Sequence, residues 1–392
     1  MKRMSALLAV LLCCLSMGGC SGSKNIQDLT YIVSIGMDYD DEKKEYKVYL
    51  QGLNFANVAK QEGGKPTEPV PIFTATATGE TLNLAVSKLY KKSEPPLFFG
   101  HTVTLVLTES VAKDKFTEVI REIGRNRSLR PTLRVVVSKE KLEDVLNTKA
   151  LFDYPAIYTV LFKGKASELA QNEIRPVLLM NFLRDFYEPM GAAKIPTVKI
   201  DQDSWKADKA FPVLYFDGYA VFQQEKFKTE LAFEDAFLAN WLFEKNVMMD
   251  HKVEKDGQLI AAVKLGSPKI KLQYEKGTDK PKFSISLAIQ GDLLEKIKDV
   301  PLKELEEIIK QDFKDKLNSL YQVGVENQID ILNAGEKFYR RHPKKYKDLK
   351  VSKEFYLDKN SLTGVKVDVT LVHFNSYKYQ TEDEDGVNLR GG

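Results

Sequence analysis

The sequence predicts an α+β protein built from two or three α/β or α+β modules. Strand and helix patterns alternate over residues 29–190, an order that is typical of α/β modules. Residues 211–378 carry several strand patterns and one long amphipathic helix, which predict an antiparallel sheet packed on that helix. The chain has 392 residues, which is more than an average domain contains. Its composition, with 43% hydrophobic and 29% charged residues, is typical of globular domains.

The N-terminal region opens with a predicted hairpin. Tyr31–Asp38 is an apolar run, Tyr46–Leu53 alternates apolar and polar residues, and the polar segment Asp40–Glu45 connects them. Further strands are predicted at 72–77, 102–107 and 133–137, and helices at 82–89, 111–123, 141–146 and 174–187. We interpret residues 29–190 as one α/β region or as two subdomains divided near residue 150.

A second unit is predicted to begin at residue 211, because residues 191–210 show little periodicity and are interpreted as a linker. Its strand patterns cover 214–222, 258–265, 269–274, 282–290, 353–357 and 364–373. The apolar spacing from Leu302 to Leu320 predicts a long amphipathic helix that could extend as far as Phe338. The C-terminal domain is expected to cover residues 211–378, and residues 379–392 to form a disordered tail.

The first twenty residues predict an exported chain. Lys2 and Arg3 precede an apolar run over residues 6–15, and small residues follow that run, as in a secretory signal. The run is shorter than the ~20 residues that a transmembrane helix needs. Residues 15–20, which end in Cys20, resemble the lipobox of bacterial lipoproteins, with Met17 where leucine is usual.

The lipobox resemblance implies a definite chemical role for Cys20. Its sulfur would carry a diacylglycerol and its amino group an acyl chain, so residues 1–19 would be a signal peptide and residues 20–28 a lipidated tether. Such an anchor is lasting, since each buried CH₂ contributes about 0.8 kcal/mol and stable attachment needs two chains. The alternative is an ordinary signal peptide followed by an incidental cysteine.

The rest of the sequence contains few residues suited to covalent chemistry. Cys13 and Cys14 lie in the segment that would be removed, so the mature chain would keep no free thiol. The histidines lack the spacing that places two metal ligands on one helix face, and no phosphate loop or nucleophile elbow is present. A formal net charge of +3 gives no reason to expect nucleic-acid binding. We therefore expect no cofactor, no metal and no enzymatic activity.

Two clusters allow a functional and a structural interpretation. His101, at the end of the segment Leu97–His101, could bind a ligand or sense pH, or it could be a structural residue that caps a strand. Five arginines could contact anionic lipid headgroups, or they could form a solvated face with local ion pairs. These are Arg121, Arg125, Arg127, Arg130 and Arg134.

Several segments then match one family in the same order along the chain. The sequence resembles the Ger(x)C family, the lipoprotein C subunits of spore germinant receptors in endospore-forming bacteria. The matching segments are the lipobox at Cys20, Asp28-Leu29 ahead of Val33–Asp38, Thr78–Leu82, Leu97–His101, Arg125–Arg130, Leu142–Leu146, Gly218–Phe222 with Lys226, Gln290–Glu295, and Asp330-Ile331 ahead of Tyr339–Pro343. Members often carry tryptophan soon after the lipid cysteine, where this chain has Ser21–Ser23.

This resemblance implies an elongated, three-domain α+β build and a non-catalytic subunit of a nutrient germinant receptor. The subunit would lie on the outer face of the spore inner membrane. Its partners would be a membrane-embedded A subunit and a transporter-like B subunit that senses amino acids, sugars or nucleosides. Only Cys20 can be carried over from the family with a definite chemical role.

Two other functions stay open at this point. A solute-binding lipoprotein of an importer would have two α/β lobes around a cleft, and the run of strands predicted from 211 to 290 argues against that build. An extracytoplasmic enzyme would need an acid/base, nucleophile or metal constellation, and none is recognisable in the sequence.

Overall fold

The computed structural model describes residues 29–53, 71–162, 174–278, 280–352 and 355–373. These residues form two β-sheets, one of ten strands and one of five, with helices packed against both. The predicted α+β class is therefore confirmed. The predicted signal peptide (1–19), the lipidated tether with Cys20 (20–28) and the C-terminal tail (379–392) lie outside the described residues.

The ten-stranded sheet, called the large sheet below, has a parallel centre and antiparallel flanks. Its order is β10-β9-β8-β6-β5-β1-β2-β3, with the short β4 beside β1 and the short β7 beside β6. Strands β1, β5 and β6 are parallel, as the predicted alternation of strands and helices requires. The strands are β1 (Thr30–Asp40), β2 (Glu45–Leu53), β3 (Phe73–Gly79), β4 (Leu97–Phe98), β5 (Thr104–Thr108), β6 (Arg134–Ser138), β7 (Val177–Leu178), β8 (Ala192–Asp201), β9 (Val213–Gln223) and β10 (Lys226–Ala232).

Helices cover both faces of the large sheet. One face is packed by α1 (Leu82–Tyr90), α2 (Phe116–Arg125) and α4 (Leu179–Phe186), and a π-helical turn at Val111–Lys115 leads into α2. Four rings fill the space between these helices and the sheet, with centroids 4.8 to 5.8 Å apart: Phe116, Phe182, Phe186 and Phe222. The other face is packed by α3 (Leu142–Asn147) and α5 (Phe233–Phe243). Between α3 and β7 lie two short 3₁₀ turns, Leu151–Asp153 and Ala156–Tyr158.

The five-stranded sheet, called the small sheet, is built around the long strand β14. Strands β11 to β14 are antiparallel as predicted, whereas β15 is parallel to β14. A parallel pair needs a crossover, and here the chain returns through three helices. The elements are β11 (Met249–Lys255), β12 (Gln258–Leu265), β13 (Lys269–Tyr274), β14 (Phe283–Lys296), α6 (Leu302–Glu326), α7 (Ala334–Arg341), α8 (Pro343–Ser352) and β15 (Leu362–His373).

Helix α6 joins the two halves through a common core. Its buried residues recur every three or four positions, and among them Phe313 lies 5.1 Å, between ring centroids, from Trp241 of α5. Both of these side chains are completely buried. Buried apolar contacts therefore continue from Val136 of the large sheet through α5 to Leu293 of the small sheet.

The predicted linker at residues 191–210 is wrong for its first half. Strand β8 covers Ala192–Asp201 and pairs with β9 along its whole length. Pro196 made a strand difficult to predict here, because proline has no N–H group to donate to a neighbouring strand. The strand tolerates Pro196 since β8 meets β6 through the single pair Val137 and Thr197.

The predicted boundary at residue 211 also changes. Strands β9 and β10 complete the large sheet instead of opening the small one, which begins only at β11 after α5. The predicted long helix ends at Glu326, and Phe338, to which it could have extended, lies in the separate helix α7. Residues 355–357 of one predicted strand are not extended into a sheet, and the predicted helix at 174–187 is confined to α4.

Candidate functional site

The chain enters the described structure at one edge of the large sheet. Because β1, β5 and β6 are parallel, they all begin at this edge. The Thr30 amide donates to the Pro96 carbonyl (2.9 Å) and its hydroxyl to the Pro95 carbonyl (2.8 Å). We call this edge the tether end, comprising residues 29–31, 71–73, 90–103 and 125–133. Cys20, the predicted lipid site, precedes Thr30 by only ten residues.

Aromatic side chains are exposed at the tether end. The exposed fraction is 37% for Phe98, 49% for Tyr90 and 60% for Phe73. Phe98 is held in place by an edge-on contact with Tyr31, with ring centroids 5.6 Å apart. The His101 ring lies 5.2 Å from Tyr31 and 5.8 Å from Phe98, measured between centroids. This packing supports the structural interpretation of His101.

The structure separates the arginines that the sequence groups together. Arg125, Arg127 and Arg130 lie at the tether end. Arg125 is the last residue of α2, and the other two lie in the segment that connects α2 to β6. Arg125 pairs with Glu122 (2.5 Å), whereas Arg127 and Arg130 are exposed and form no ion pair with the described residues. Arg134 is different, because it is partly buried in β6 and donates to the Leu161 carbonyl (3.3 Å). Burial lowers the pKa of Arg134.

The opposite edge of the large sheet has the opposite charge. We call it the far end, comprising residues 38–46, 108–115 and 138–144. The tether end contains five basic residues (Lys or Arg) and one acidic residue (Asp or Glu). The far end contains six basic and ten acidic residues. Most far-end lysines are paired, as in Lys43 with Asp40 (3.6 Å), Lys113 with Glu109 (2.7 Å) and Lys139 with Glu230 (2.6 Å).

A buried polar network, called the junction below, connects the two sheets. The Asp330 carboxylate accepts hydrogen bonds from the backbone N–H groups of Ala334 (2.8 Å) and Gly335 (2.6 Å) and from the Tyr356 hydroxyl (3.0 Å). The side-chain carbonyl of Gln223, the last residue of β9, accepts from the Asp330 amide (3.1 Å). Tyr356 also accepts from the Gly191 amide (3.0 Å) and from the Gln223 side chain (3.3 Å).

The junction could not be identified in the sequence, because its members lie far apart along the chain. Asp330 is fully buried, and Gln223 and Tyr356 are almost so. Burial raises the pKa of Asp330 to about 6, although its hydrogen bonds favour the charged form. A Cβ atom on Gly335 would lie 2.2 Å from the Tyr356 ring, so only glycine fits there. This arrangement fixes the small-sheet unit against the end of β9.

A cleft of about 480 Å³ lies beside the junction, between α4, α5 and α7. Lys194 of β8 lines it, and its ammonium group lies 5.9 Å from the centroid of the Tyr219 ring. Burial lowers the pKa of Lys194. Arg184 and Arg340 also line the cleft, but they pair with the carboxylates of Asp185 (2.8 Å) and Glu336 (2.7 Å).

His251 of β11 contacts a charged pair of residues on α6. Its Nε2 lies 3.1 Å from the carboxylate of Asp312, which also pairs with Lys316 (2.9 Å). Burial alone would raise the pKa of Asp312, but hydrogen bonds from His251 and Lys316 outweigh it and hold the pKa at about 2. No group of three or more potential metal ligands occurs within the described ranges.

No helix in the described part of the chain is long and apolar enough to cross a membrane.

Two family models match almost the whole chain. The model described as "Spore germination protein N-terminal domain" matches residues 22–200, and the model described as "Spore germination B3/ GerAC like, C-terminal" matches residues 217–375. The first match ends within β8 and the second begins within β9, and these two strands are paired in the large sheet. The second family domain therefore supplies two strands to the sheet of the first.

Curated relatives come from Bacillus subtilis (strain 168). "Spore germination protein KC" is 25% identical over 426 aligned positions, which cover 96% of this chain and 99% of the relative. "Spore germination protein A3" is 23% identical, with 74% of each chain covered. A solved structure, "Crystal Structure of the GerBC protein", has a TM-score of 0.52 at 16% identity, and the alignment covers 90% of this chain and 100% of that one. That likeness confirms the fold.

Proposed function

Since this chain belongs to the Ger(x)C family of spore germination proteins, we propose that it is the lipid-anchored, non-catalytic C subunit of a nutrient germinant receptor. The match of both family domains, over nearly the whole chain, is the observation that carries this proposal. A relative that aligns with 96% of this chain is named as a spore germination protein, and we assign the same role to the present chain.

The proposed attachment depends on Cys20. The lipobox residues precede Cys20, and the first strand begins ten residues later, so the anchor would hold the folded body close to the bilayer. Two acyl chains make such attachment lasting. Confinement to the membrane raises the effective concentration of the protein near other membrane proteins. We assign the outer face of the spore inner membrane as its location and the membrane-embedded A and B receptor subunits as its partners.

The build of the molecule argues against the importer alternative. A solute-binding lipoprotein of the hinged type has two separate lobes, each with its own sheet, around a cleft. Here strands β9 and β10 from the second half complete the sheet of the first half, and buried contacts continue through α5 into the small sheet. Such a continuous core resists hinge motion between two lobes.

Gene deletion tests the proposed role. Spores that lack this gene, in a strain without paralogous receptors, should lose germination in response to one class of nutrient and keep germination in response to non-nutrient triggers. Re-introduction of the gene should restore the response. Normal germination of the deletion strain with every nutrient would contradict the proposal.

A further inference from the structure

We propose that the tether end of the large sheet lies on an anionic bilayer surface, with Tyr90 and Phe98 at headgroup depth and with Lys91, Lys92, Arg127 and Arg130 over the anionic headgroups. This inference rests on the lipid anchor of the proposed function and adds which face of the protein meets the membrane. The far end would then point away from the membrane.

The reach of the tether limits how far this face can lie from the bilayer. An extended chain spans at most about 3.6 Å per residue, so the nine residue steps from Cys20 to Leu29 reach roughly 32 Å. Leu29 is followed directly by Thr30, which the two contacts with Pro95 and Pro96 hold at the edge of the sheet. The tether therefore keeps this edge within roughly 32 Å of the membrane surface.

The exposed aromatic side chains suit the headgroup region. Phe98 and Tyr90 expose 37% and 49% of their surface, although each ring packs against another aromatic ring, Phe98 against Tyr31 and Tyr90 against Phe99. Tyrosine is enriched at membrane interfaces, where its apolar ring and its polar hydroxyl are both accommodated, and Phe98 adds apolar surface beside it. In solution the same rings remain in contact with water, so their transfer to the interface is favourable.

The cations of the tether end are available to a partner. The exposed side chains of Lys91, Lys92, Arg127 and Arg130 form no ion pair with the described residues. The far end differs, because its acidic residues outnumber its basic ones and most of its lysines are paired. Anionic headgroups would attract the tether end and repel the far end, so charge and tether favour the same orientation.

Vesicle binding of the unacylated chain, beginning at Ser21, tests the charge contribution without the anchor. Each basic residue near an anionic membrane changes binding by about fivefold. Arg127→Gln/Arg130→Gln should therefore weaken binding to phosphatidylglycerol/phosphatidylcholine vesicles about tenfold or more. The matched variant Lys43→Gln/Lys44→Gln, at the far end, should change it less than about twofold. Binding of the parent chain should be weak on phosphatidylcholine alone and should fall at about 0.5 M salt, where charges are screened.

A depth measurement on the acylated protein tests the orientation. After acylation of Cys20 and removal of residues 1–19, which contain Cys13 and Cys14, the chain would keep no free thiol, so Arg127→Cys and Lys43→Cys each introduce one labelling site. A fluorescent label at residue 127 should be quenched by headgroup-level lipid quenchers, and a label at residue 43 should not. Circular dichroism verifies that both variants keep the fold.

Two results would overturn the inference. One is equal quenching at residues 43 and 127, together with equal loss of binding in the two charge variants. The other is a label at residue 127 that lipid quenchers do not reach and whose fluorescence changes only when receptor subunits are added. A protein would then be the occupant of this face. Mass analysis of the N-terminal peptide keeps the proposals distinguishable, because a Cys20 without acyl chains refutes the anchor while vesicle binding still decides the lipid affinity of the face.

Discussion

The junction and the tether end both contain several polar side chains, but these side chains are buried and hydrogen-bonded at the junction and exposed at the tether end. At the junction the Asp330 carboxylate, the Tyr356 hydroxyl and the Gln223 amide are buried and hydrogen-bonded to each other. At the tether end Arg127 and Arg130 are exposed and form no ion pair within the described residues. Buried polar groups must be satisfied inside the protein, whereas unpaired surface charges are free to meet another molecule. The first region therefore serves the fold, and the second is the one that we propose for attachment.

The largest expected effect is at the junction. Asp330→Ala leaves the N–H groups of Ala334 and Gly335 and the Tyr356 hydroxyl without their acceptor in a buried site. We expect a loss of about 3–5 kcal/mol in the free energy of unfolding, as is usual when one partner of a buried polar network is removed. Urea denaturation measures it. Asp41→Ala, in the exposed β1–β2 turn, is the control, and equal losses in both variants would contradict the account.

The pKa of Asp330 predicts a pH dependence of comparable size. The folded pKa of about 6 lies above the ordinary value of 3.8 for an aspartic acid, because burial disfavours the carboxylate. The protonated Asp330 therefore favours the folded state. This contribution to the unfolding free energy is fully present below about pH 4 and is lost as the pH rises through 6. A pKa that differs by roughly two between the folded and the unfolded state corresponds to about 3 kcal/mol of unfolding free energy at most.

Asp330→Asn isolates this contribution, because asparagine does not ionise. The unfolding free energy of the wild type, relative to the variant, should fall by about 2–3 kcal/mol between pH 4 and pH 7.5. Asp312 has a pKa of about 2, which changes stability with pH in the opposite direction. Because Asp312 is present in both proteins, its effect cancels in the difference between their unfolding free energies. A difference that does not change with pH would show that Asp330 is charged throughout this range.

Tyr356→Phe should have an intermediate effect. The change removes the hydroxyl that contacts Asp330, Gly191 and Gln223 but keeps the ring that packs on Gly335. We expect a loss of about 1–2 kcal/mol in unfolding free energy, since the lost groups are buried. Tyr187→Phe, at an exposed position, should change stability by less than about 0.5 kcal/mol. Thermal unfolding of both variants compares them directly.

The smallest effect on stability is expected at the tether end. Arg127→Gln/Arg130→Gln should change the unfolding free energy by less than about 0.5 kcal/mol, because exposed charges contribute little to folding. The same substitutions should weaken binding to anionic vesicles, so the two properties separate. If the double variant unfolds as readily as Asp330→Ala, these arginines serve the fold and the contrast between the regions fails.

The sequence patterns predicted the elements with strong periodicity. The hairpin β1–β2, the helices α1 to α3 and the long α6 follow the alternating and helical spacing of their apolar residues. Strand β8 was missed because Pro196 and two lysines interrupt its pattern, although β9 pairs with it along its whole length. Local patterns carry no information on such long-range pairing.

The site was predictable only in part. Cys20, the segment Leu97–His101 and the arginines stand out in the sequence, and the shared edge of β1, β5 and β6 brings that segment to the same end of the sheet as Arg127 and Arg130. The junction carries no local signal, since Gln223 and Asp330 are separated by more than a hundred residues. Whether a polar residue is buried depends on the packing of distant segments, which short patterns do not encode.

The most direct test of the central claim is to detach the protein from its lipid without removing it from the spore. Residues 1–19 are replaced by a signal peptide that is cleaved without lipidation, together with Cys20→Ala. We expect the chain to leave the spore membrane fraction, and nutrient-triggered germination to fall to the level of the deletion strain. Membrane attachment and normal germination of this variant would contradict the account.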